Sequence, residues 1–223
     1  MSDAARARAV VSAQGCTGWL LDIGGGLGGH AAVWSGHGQR PVVVDPSVAM
    51  IEGARRHGHV AVVQGRSQNL PFGDGVAALA YFHLSIHYGD WHSAIDEALR
   101  VVGSQGRIEI WTIAPEAIAR TSLGQWFPKV VEIDTQRFPN PKLMAQHLET
   151  KGYSVEVSRA DEPISRRAGD WMDAVRGRFV STLQLLDDEE IDAGLTRFSE
   201  QYRDPNEIYR YELGLTRITT HVQ

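Results

Sequence analysis

The chain has 223 residues, 43% of them hydrophobic, a length that suits one domain or one domain with a small appendage. Its formal net charge of −5 excludes a global basic field of the kind that attracts nucleic acids or anionic membranes. The single cysteine, Cys16, excludes an intrachain disulfide and is interpreted as structural, and no apolar run approaches the roughly 20 residues that span a bilayer. We therefore expect a soluble, cytoplasmic protein directed at small molecules, with no nucleic-acid or membrane partner.

Strands and helices alternate along the first half of the chain. Compact apolar or β-branched runs predict strands at 19–23, 40–45, 59–65, 76–83 and 107–113. Intervening segments predict helices at 4–13 and 29–35, another that follows an N-cap at Ser47, and an amphipathic one from Asp90. This alternation is typical of parallel βαβ units in an α/β, doubly wound sheet.

The second half is less regular. It predicts a helix at 141–151 and strands at 153–160 and 211–222, with mostly helical residues between these strands. The acids at 187–190 are interpreted as a helix start capped by Asp187, and the histidines at 57–59 as a helix end.

The segment LLDIGGGLGGH, which spans residues 20–30, carries five glycines in six positions after a buried strand. Glycine has no side chain for a core, so such a run points to a ligand that lies against the backbone. Gly24, Gly26 and Gly29 satisfy the dinucleotide pattern G-x-G-x-x-G. Asp22 opposes a pyrophosphate at this loop and instead suits a ligand with a cationic group, such as an α-amino group.

A second acid, Asp45, ends the next predicted strand. A carboxylate at that place can accept hydrogen bonds from both ribose hydroxyls. One acid on each side of a glycine loop therefore indicates a nucleoside with an aminoacyl tail, which is the chemistry of S-adenosylmethionine.

At this point the sequence resembles the class I S-adenosylmethionine-dependent methyltransferases, in the small-molecule branch similar to the quinone-ring methylases. The resemblance covers about residues 19–113 and is carried by LLDIGGGLG, the segment around VVVDPSVAMIEGAR, QGRSQNLPFGDG, and SIHYGDWHSAIDEALRVVGSQGRIEI. It implies a Rossmann-like seven-stranded sheet of order 3-2-1-4-5-7-6, with helices on both faces and the seventh strand antiparallel.

The resemblance also implies the roles of the residues that bind the cofactor. Asp22 and the glycine loop would hold the methionine part, Asp45 the ribose, and Ser47 or Met50 the adenine, to whose edge Ser67 would offer its backbone. We include His83, interpreted as a strand residue, among those facing the cofactor. The predicted cofactor-binding set is Asp22, Gly24, Gly26, Gly28, Asp45, Ser47, Met50, Ser67 and His83.

Two positions and one turn depart from the family pattern. Arg66 stands where many relatives carry an Asp that contacts the adenine amino group, Ala78 replaces a frequent acid, and 103–106 read Gly-Ser-Gln-Gly instead of a Pro-Gly-Gly turn. The departure at Arg66 bears directly on how the adenine is recognised.

The resemblance further implies one domain over residues 1–223, with a mostly helical lid insertion at about 163–205. Residues 114–139 and this insertion would supply the substrate pocket. We expect a monomer or a homodimer. The aromatic residues of these segments either line that pocket or close a core, and three arginines either bind a substrate carboxylate or form a solvated face. The residues are Trp126, Phe127, Phe138, Trp171 and Tyr209, and Arg137, Arg176 and Arg178.

His87 is the candidate catalytic residue, because it follows the fourth strand at the carboxyl edge where open α/β sheets bind ligands. It is either a base that takes a proton from the acceptor or a residue that shapes the pocket. Together with His83, Asp90 and His92 it lacks a recognised zinc spacing, so we predict no metal.

The predicted activity is transfer of a methyl group from S-adenosylmethionine to an O, N or C atom of a small molecule. Two other functional classes stay open: a cofactor-binding protein without methyl transfer, and a nicotinamide-dependent oxidoreductase. Non-methylating chemistry on the same cofactor is also compatible with the sequence.

Overall fold

The computed structural model describes residues 1–56 and 60–221. Its sheet has seven strands in the order β3-β2-β1-β4-β5-β7-β6. The pairs that join β1 to β5 are parallel, and β7 runs antiparallel to β5. The predicted fold is confirmed in strand order and in the direction of the last strand. The strands are β1 Trp19–Ile23, β2 Arg40–Asp45, β3 Ala61–Gln64, β4 Ala77–His83, β5 Arg107–Thr112, β6 Ser154–Arg167 and β7 Ile208–His221.

Helices connect these strands along the chain. They are α1 Asp3–Ala13, α2 Gly29–Gly36, α3 Val48–Arg56, α4 Trp91–Val102, α5 Pro128–Arg137, α6 Pro141–Thr150, α7 Ala168–Arg176 and α8 Asp188–Gln201, with short 3-10 helices at Pro115–Arg120 and Ser181–Leu185. Asp187 caps α8 in a capping box with Glu190, as predicted, so this part of the acidic run serves the helix end.

The central strands bury both faces, which is why their sequences are continuous apolar runs. One face of β4 and β5 packs through Phe82 and Ile110 into a core that also includes Ile95 and Leu99 of α4. Because strand side chains alternate, Tyr81 and His83 lie on the opposite face. The face on which a strand side chain lies therefore decides whether a predicted residue such as His83 can reach a site at the strand ends.

Several element bounds differ from the prediction. β6 continues to Arg167, beyond its predicted end at 160, so 163–167 belong to a strand rather than to a helical insertion. Most residues of β6 are exposed, so apolar alternation did not reveal its full length. β7 begins earlier, at Ile208. The predicted helix end at 57–59, the start of the third strand at 59 and the last strand residue at 222 lie outside the described residues.

The chain divides into two compact units. The first comprises residues 1–112, 139–158 and 216–223, and the second comprises 113–138 and 159–215. In the second unit Trp171 stacks on Phe198 at a centroid distance of 4.1 Å, and Tyr209 accepts a hydrogen bond from Trp126 Nε1. These aromatics, together with Phe127, form the core of the second unit. The interpretation of the whole chain as one domain with a lid at 163–205 stays a prediction.

The three arginines that the sequence analysis singled out lie in the second unit and are engaged within it. Arg137 donates to Ser181 and Thr182, and Arg176 pairs with Asp173. Arg178 donates to backbone carbonyls of its own segment and pairs with Asp188. These contacts serve local structure.

Candidate functional site

A cavity of about 360 Å³ lies at the carboxyl ends of the first four strands, within the first unit. This is the edge at which parallel α/β sheets bind ligands. The lining residues come from the strand ends, the loops that follow them and helix α3. The predicted site residues Gly24, Gly26, Asp45, Met50 and Ser67 are among them. The others are Ile23, Pro46, Gly65, Arg66, Gln68, Leu84, Ser85 and Tyr88.

The glycine loop is held in a backbone conformation that side chains disfavour. Gly24, Gly26 and Gly28 have φ values of +70°, +55° and +77°. A Cβ on Gly24 would lie 2.5 Å from Cβ of Ser85, whose hydroxyl donates to the carbonyl of Ile23. Gly24 and Gly26 line the cavity, whereas Gly28 caps the start of α2. The loop therefore needs glycine for its shape and exposes backbone toward the cavity.

Asp45 connects two loops through its carboxylate. Oδ2 accepts from the backbone N–H of Gly26 at 3.1 Å, and Oδ1 accepts from that of Ser47 at 2.9 Å. Each oxygen keeps a further acceptor site, because a carboxylate oxygen has two lone pairs. The side-chain oxygen of Ser47 accepts from the N–H of Met50 at the start of α3, so Ser47 serves the helix and Met50 reaches the cavity.

Asp22 is buried behind the glycine loop and does not belong to the residues that line the cavity. Its Cγ lies 2.5 Å from where a Cβ on Gly25 would be, and its carboxylate accepts from the backbone of Ala31 at the start of α2. Burial raises the pKa of Asp22 to about 7, the bond from Ala31 lowers it, and the charge of Asp45 raises it. Oδ2 of Asp22 has no hydrogen-bond partner among the described residues. Its predicted contact with a ligand ammonium group stays a prediction.

The two histidines of the predicted site lie outside the cavity lining. The ring of His83 lies 4.5 Å from that of His30 and near Tyr81, on the α2 face of the sheet. Burial lowers the pKa of His83 to about 4 and that of His30 to about 3, so both are neutral at pH 7. His87 is buried, with its ring 4.2 Å from the ring of Tyr88, which does line the cavity.

Sequence reasoning missed the residues just after β4. Leu84 has a φ of +53°, which is rare for a residue with a side chain, and its N–H donates to Trp111 O at 2.8 Å. Gln68 donates from Nε2 to Tyr88 O at 3.2 Å and connects two loops of the cavity. Their position in the sheet could have indicated them. β4 runs parallel to β1, so the residues that follow β4 must lie beside the glycine loop that follows β1.

Within residues 1–56 and 60–221, no three His, Cys, Asp or Glu side chains are arranged to hold a metal ion. In the same part of the chain, no helix has the length and apolar character needed to cross a membrane.

A comparison with protein families matches residues 21–110 to the family described as "Methyltransferase domain". The match begins in β1 and ends in β5, so it includes every residue that lines the cavity. Residues 21–110 are a methyltransferase domain. The methyltransferase interpretation of the sequence is thereby confirmed.

Solved structures share the fold of this chain over nearly its whole length. A protein of Anabaena variabilis assigned to methyl transfer in an antibiotic biosynthesis pathway has a TM-score of 0.74 at 20% identity, covering 96% of this chain and 95% of its own. A protein of Bacillus halodurans assigned as a methyltransferase has a TM-score of 0.67 at 18% identity, covering 97% and 98%. Geranyl diphosphate C-methyltransferase from Streptomyces coelicolor, solved with S-adenosyl-L-homocysteine, has a TM-score of 0.60 at 14% identity, covering 99% and 77%. No protein with a curated description matches the chain.

Proposed function

We propose that the cavity holds S-adenosylmethionine with its aminoacyl end at the glycine loop, and that the chain transfers the methyl group to a small-molecule acceptor. The observation that carries this proposal is the pair formed by the glycine loop and Asp45. The loop offers backbone at Gly24 and Gly26, and Asp45 offers carboxylate oxygens already oriented by Gly26 and Ser47.

The residues present fit this cofactor. Asp22 places a buried carboxylate with an unpartnered oxygen directly behind the loop, which supports a cationic group at the aminoacyl end. Asp45 retains acceptor sites for ribose hydroxyls. Met50 and Leu84 give the cavity apolar surface on which a purine can lie.

When bound, the sulfonium supplies a methyl group activated for in-line displacement. The chain then positions the cofactor and the acceptor and excludes water, and it forms no covalent bond to either of them. Asp45 and the glycine loop orient one end of the ligand. The N–H of Leu84 donates to Trp111 O, and this hydrogen bond fixes the loop after β4 beside the cavity. Tyr88 lines the same cavity and is half exposed, at 50%.

The role of His87 stays a prediction. Its burial against Tyr88 favours the alternative in which it shapes the loop that presents Tyr88. The lid at 163–205, the acceptor atom, the cytoplasmic location and the monomer or homodimer state also stay predictions. Geranyl diphosphate, the acceptor named for the Streptomyces coelicolor relative, belongs with other small molecules in a first acceptor panel.

Calorimetric titration of the full chain with S-adenosylmethionine, S-adenosylhomocysteine and NADH tests the proposal. We expect both adenosyl ligands to bind and NADH not to bind. Tight NADH binding without adenosyl binding would favour the oxidoreductase and contradict the proposal. Transfer of labelled methyl groups to an acceptor panel separates the enzyme from a protein that binds the cofactor without methyl transfer.

A further inference from the structure

Arg66 follows β3 directly and lines the cavity. Its backbone is fixed by a bridge to Asn69, whose N–H donates to Arg66 O at 3.0 Å. Within the part of the chain that the structure describes, no hydrogen bond or ion pair engages its exposed guanidinium. A fixed backbone therefore presents an available cationic donor to the cavity.

The position of Arg66 relative to Asp45 identifies the part of the ligand that it would meet. With the aminoacyl end at the glycine loop of β1 and the ribose at Asp45 of β2, the base extends toward the end of β3. Gly65 donates to Asp45 O at 3.2 Å, and a Cβ on Gly65 would lie 2.9 Å from Pro71 Cδ. This turn is tightly packed, so Arg66 stands at the base end of the cavity.

The chemistry of the guanidinium determines which purine edge it matches. A guanidinium only donates hydrogen bonds, and an ionised carboxylate only accepts them. The 6-amino group of adenine is a donor, whereas the 6-oxo group of hypoxanthine is an acceptor that, together with N7, suits the two-pronged donor geometry of arginine. An acid at position 66 would therefore favour adenine through its amino group, whereas an arginine gains a second acceptor on the 6-oxopurine.

We propose that Arg66 is a specificity-determining residue that relaxes or reverses the preference for adenine, so that the cavity accepts a 6-oxopurine form of the cofactor at least as tightly as the adenosyl form. This inference rests on the proposed function, because it assumes the same ligand orientation. Nε2 of Gln68, which also lines the cavity, donates to Tyr88 O and thereby fixes the orientation of this amide.

The experiment compares S-adenosyl-L-homocysteine with S-inosyl-L-homocysteine, its deaminated form, by calorimetry. The full chain is titrated as wild type, as Arg66→Asp, as Arg66→Gln and as Arg55→Asp. Arg55 is exposed on α3 and does not line the cavity, so its variant controls for the change in net charge.

In the wild type we expect the inosyl ligand to bind as tightly as the adenosyl ligand or more tightly. Arg66→Asp should shift the ratio of dissociation constants toward the adenosyl ligand by about tenfold or more, the discrimination typical of a well-placed pair of hydrogen bonds. Arg66→Gln should fall between these values, and Arg55→Asp should keep the wild-type ratio.

A smaller shift in Arg66→Asp, an equal shift in Arg55→Asp, or tighter wild-type binding of the adenosyl ligand than of the inosyl ligand would overturn the inference. With adenosyl binding intact, each of these outcomes leaves the proposed function standing. If neither ligand binds, the proposed function and this inference both fail.

Discussion

Oδ2 of Asp45 accepts a hydrogen bond from the backbone N–H of Gly26 at 3.1 Å. The end of β2 thereby holds the glycine loop that follows β1, the strand beside it. The same carboxylate accepts from Ser47 at the entry to α3. Asp45 is therefore a structural connector. Under the proposed function it would also bind the ribose, so that loop geometry and ligand affinity would depend on one side chain.

Asp45→Asn should weaken the binding of S-adenosylhomocysteine and lower the melting temperature together. An amide presents one oxygen where the carboxylate presents two, so one of the two backbone donors loses its acceptor. A hydrogen bond to a charged group contributes about 1.5–3 kcal/mol, so we expect binding to weaken by about tenfold or more. Calorimetry and thermal unfolding measure the two effects.

Glu52→Gln is the matched control, because Glu52 is exposed on the neighbouring α3 and does not line the cavity. It should leave both quantities unchanged. If Asp45→Asn lowers the melting temperature but binds S-adenosylhomocysteine as tightly as the wild type, Asp45 connects the two loops but does not bind the ligand.

Asp22 should make the fold less stable as pH rises. Burial raises its pKa from 3.8 to about 7 in the folded state, so between these values the folded protein binds more protons than the unfolded chain. The free energy of unfolding therefore falls with rising pH, by up to about 1.4 kcal/mol per pH unit for this group. Asp22→Asn removes this contribution. The free energy of unfolding of the variant, relative to that of the wild type, should therefore increase from about pH 4 to about pH 7 and stay constant above about pH 7.

Urea unfolding across this pH range measures the difference, with Asp192→Asn, a change at an exposed position on α8, as the control. A difference between Asp22→Asn and wild type that stays constant with pH would show that Asp22 does not titrate in this range.

His83 and His30 should have the opposite effect on stability. Burial lowers their folded pKa values to about 4 and 3, whereas each titrates near 6.5 when unfolded. Below pH 6.5 the unfolded chain binds the extra protons, so stability should fall as the solution is acidified, by up to about 1.4 kcal/mol per pH unit for each residue.

His83→Phe keeps an aromatic ring beside His30 and Tyr81 and removes the proton site. The variant should therefore lose less stability than wild type between pH 6.5 and 4, measured by urea unfolding. His37→Phe, at an exposed histidine just after α2, should retain the wild-type dependence. Equal slopes in wild type and His83→Phe would mean that His83 is protonated in the fold.

The parts of the site that the sequence predicted are those set by local chain chemistry. Gly24 and Gly26 follow β1 and Asp45 ends β2, and the carboxyl ends of parallel strands meet at one edge of the sheet. The orientation of His83 follows from alternation with Tyr81, but its neighbour His30 comes from another element.

The remaining features depend on contacts between distant parts of the chain. Ser85 lies against Gly24, which is 61 positions earlier in the sequence, and no local pattern encodes that approach. His87 lies beyond the end of β4, where alternation no longer determines orientation. β6 extends beyond its predicted end because most of its residues are exposed along its whole length, so no apolar alternation marks where it stops.

Glu109 should be the most sensitive charged residue of the first unit. It is fully buried on β5 and accepts from Ser12 Oγ of α1, from Trp111 Nε1 at 2.7 Å and from Arg217 Nη2 of β7 at 2.9 Å. Glu109→Gln keeps the shape but leaves the partly buried Arg217 without its counter-charge, and breaking such a pair costs about 3–5 kcal/mol. Urea unfolding should show a loss of this order.

The double variant Glu109→Gln with Arg217→Met distinguishes the charge effect from the loss of hydrogen bonds. Removing Arg217 as well eliminates the uncompensated charge, so the double variant should be less destabilised than the sum of the two single variants. Additive losses would mean that the bonds to Ser12 and Trp111, rather than the ion pair, dominate. In that case Ser12→Ala alone should reproduce a large share of the loss, because the helix α1 would then depend on Glu109 as an acceptor.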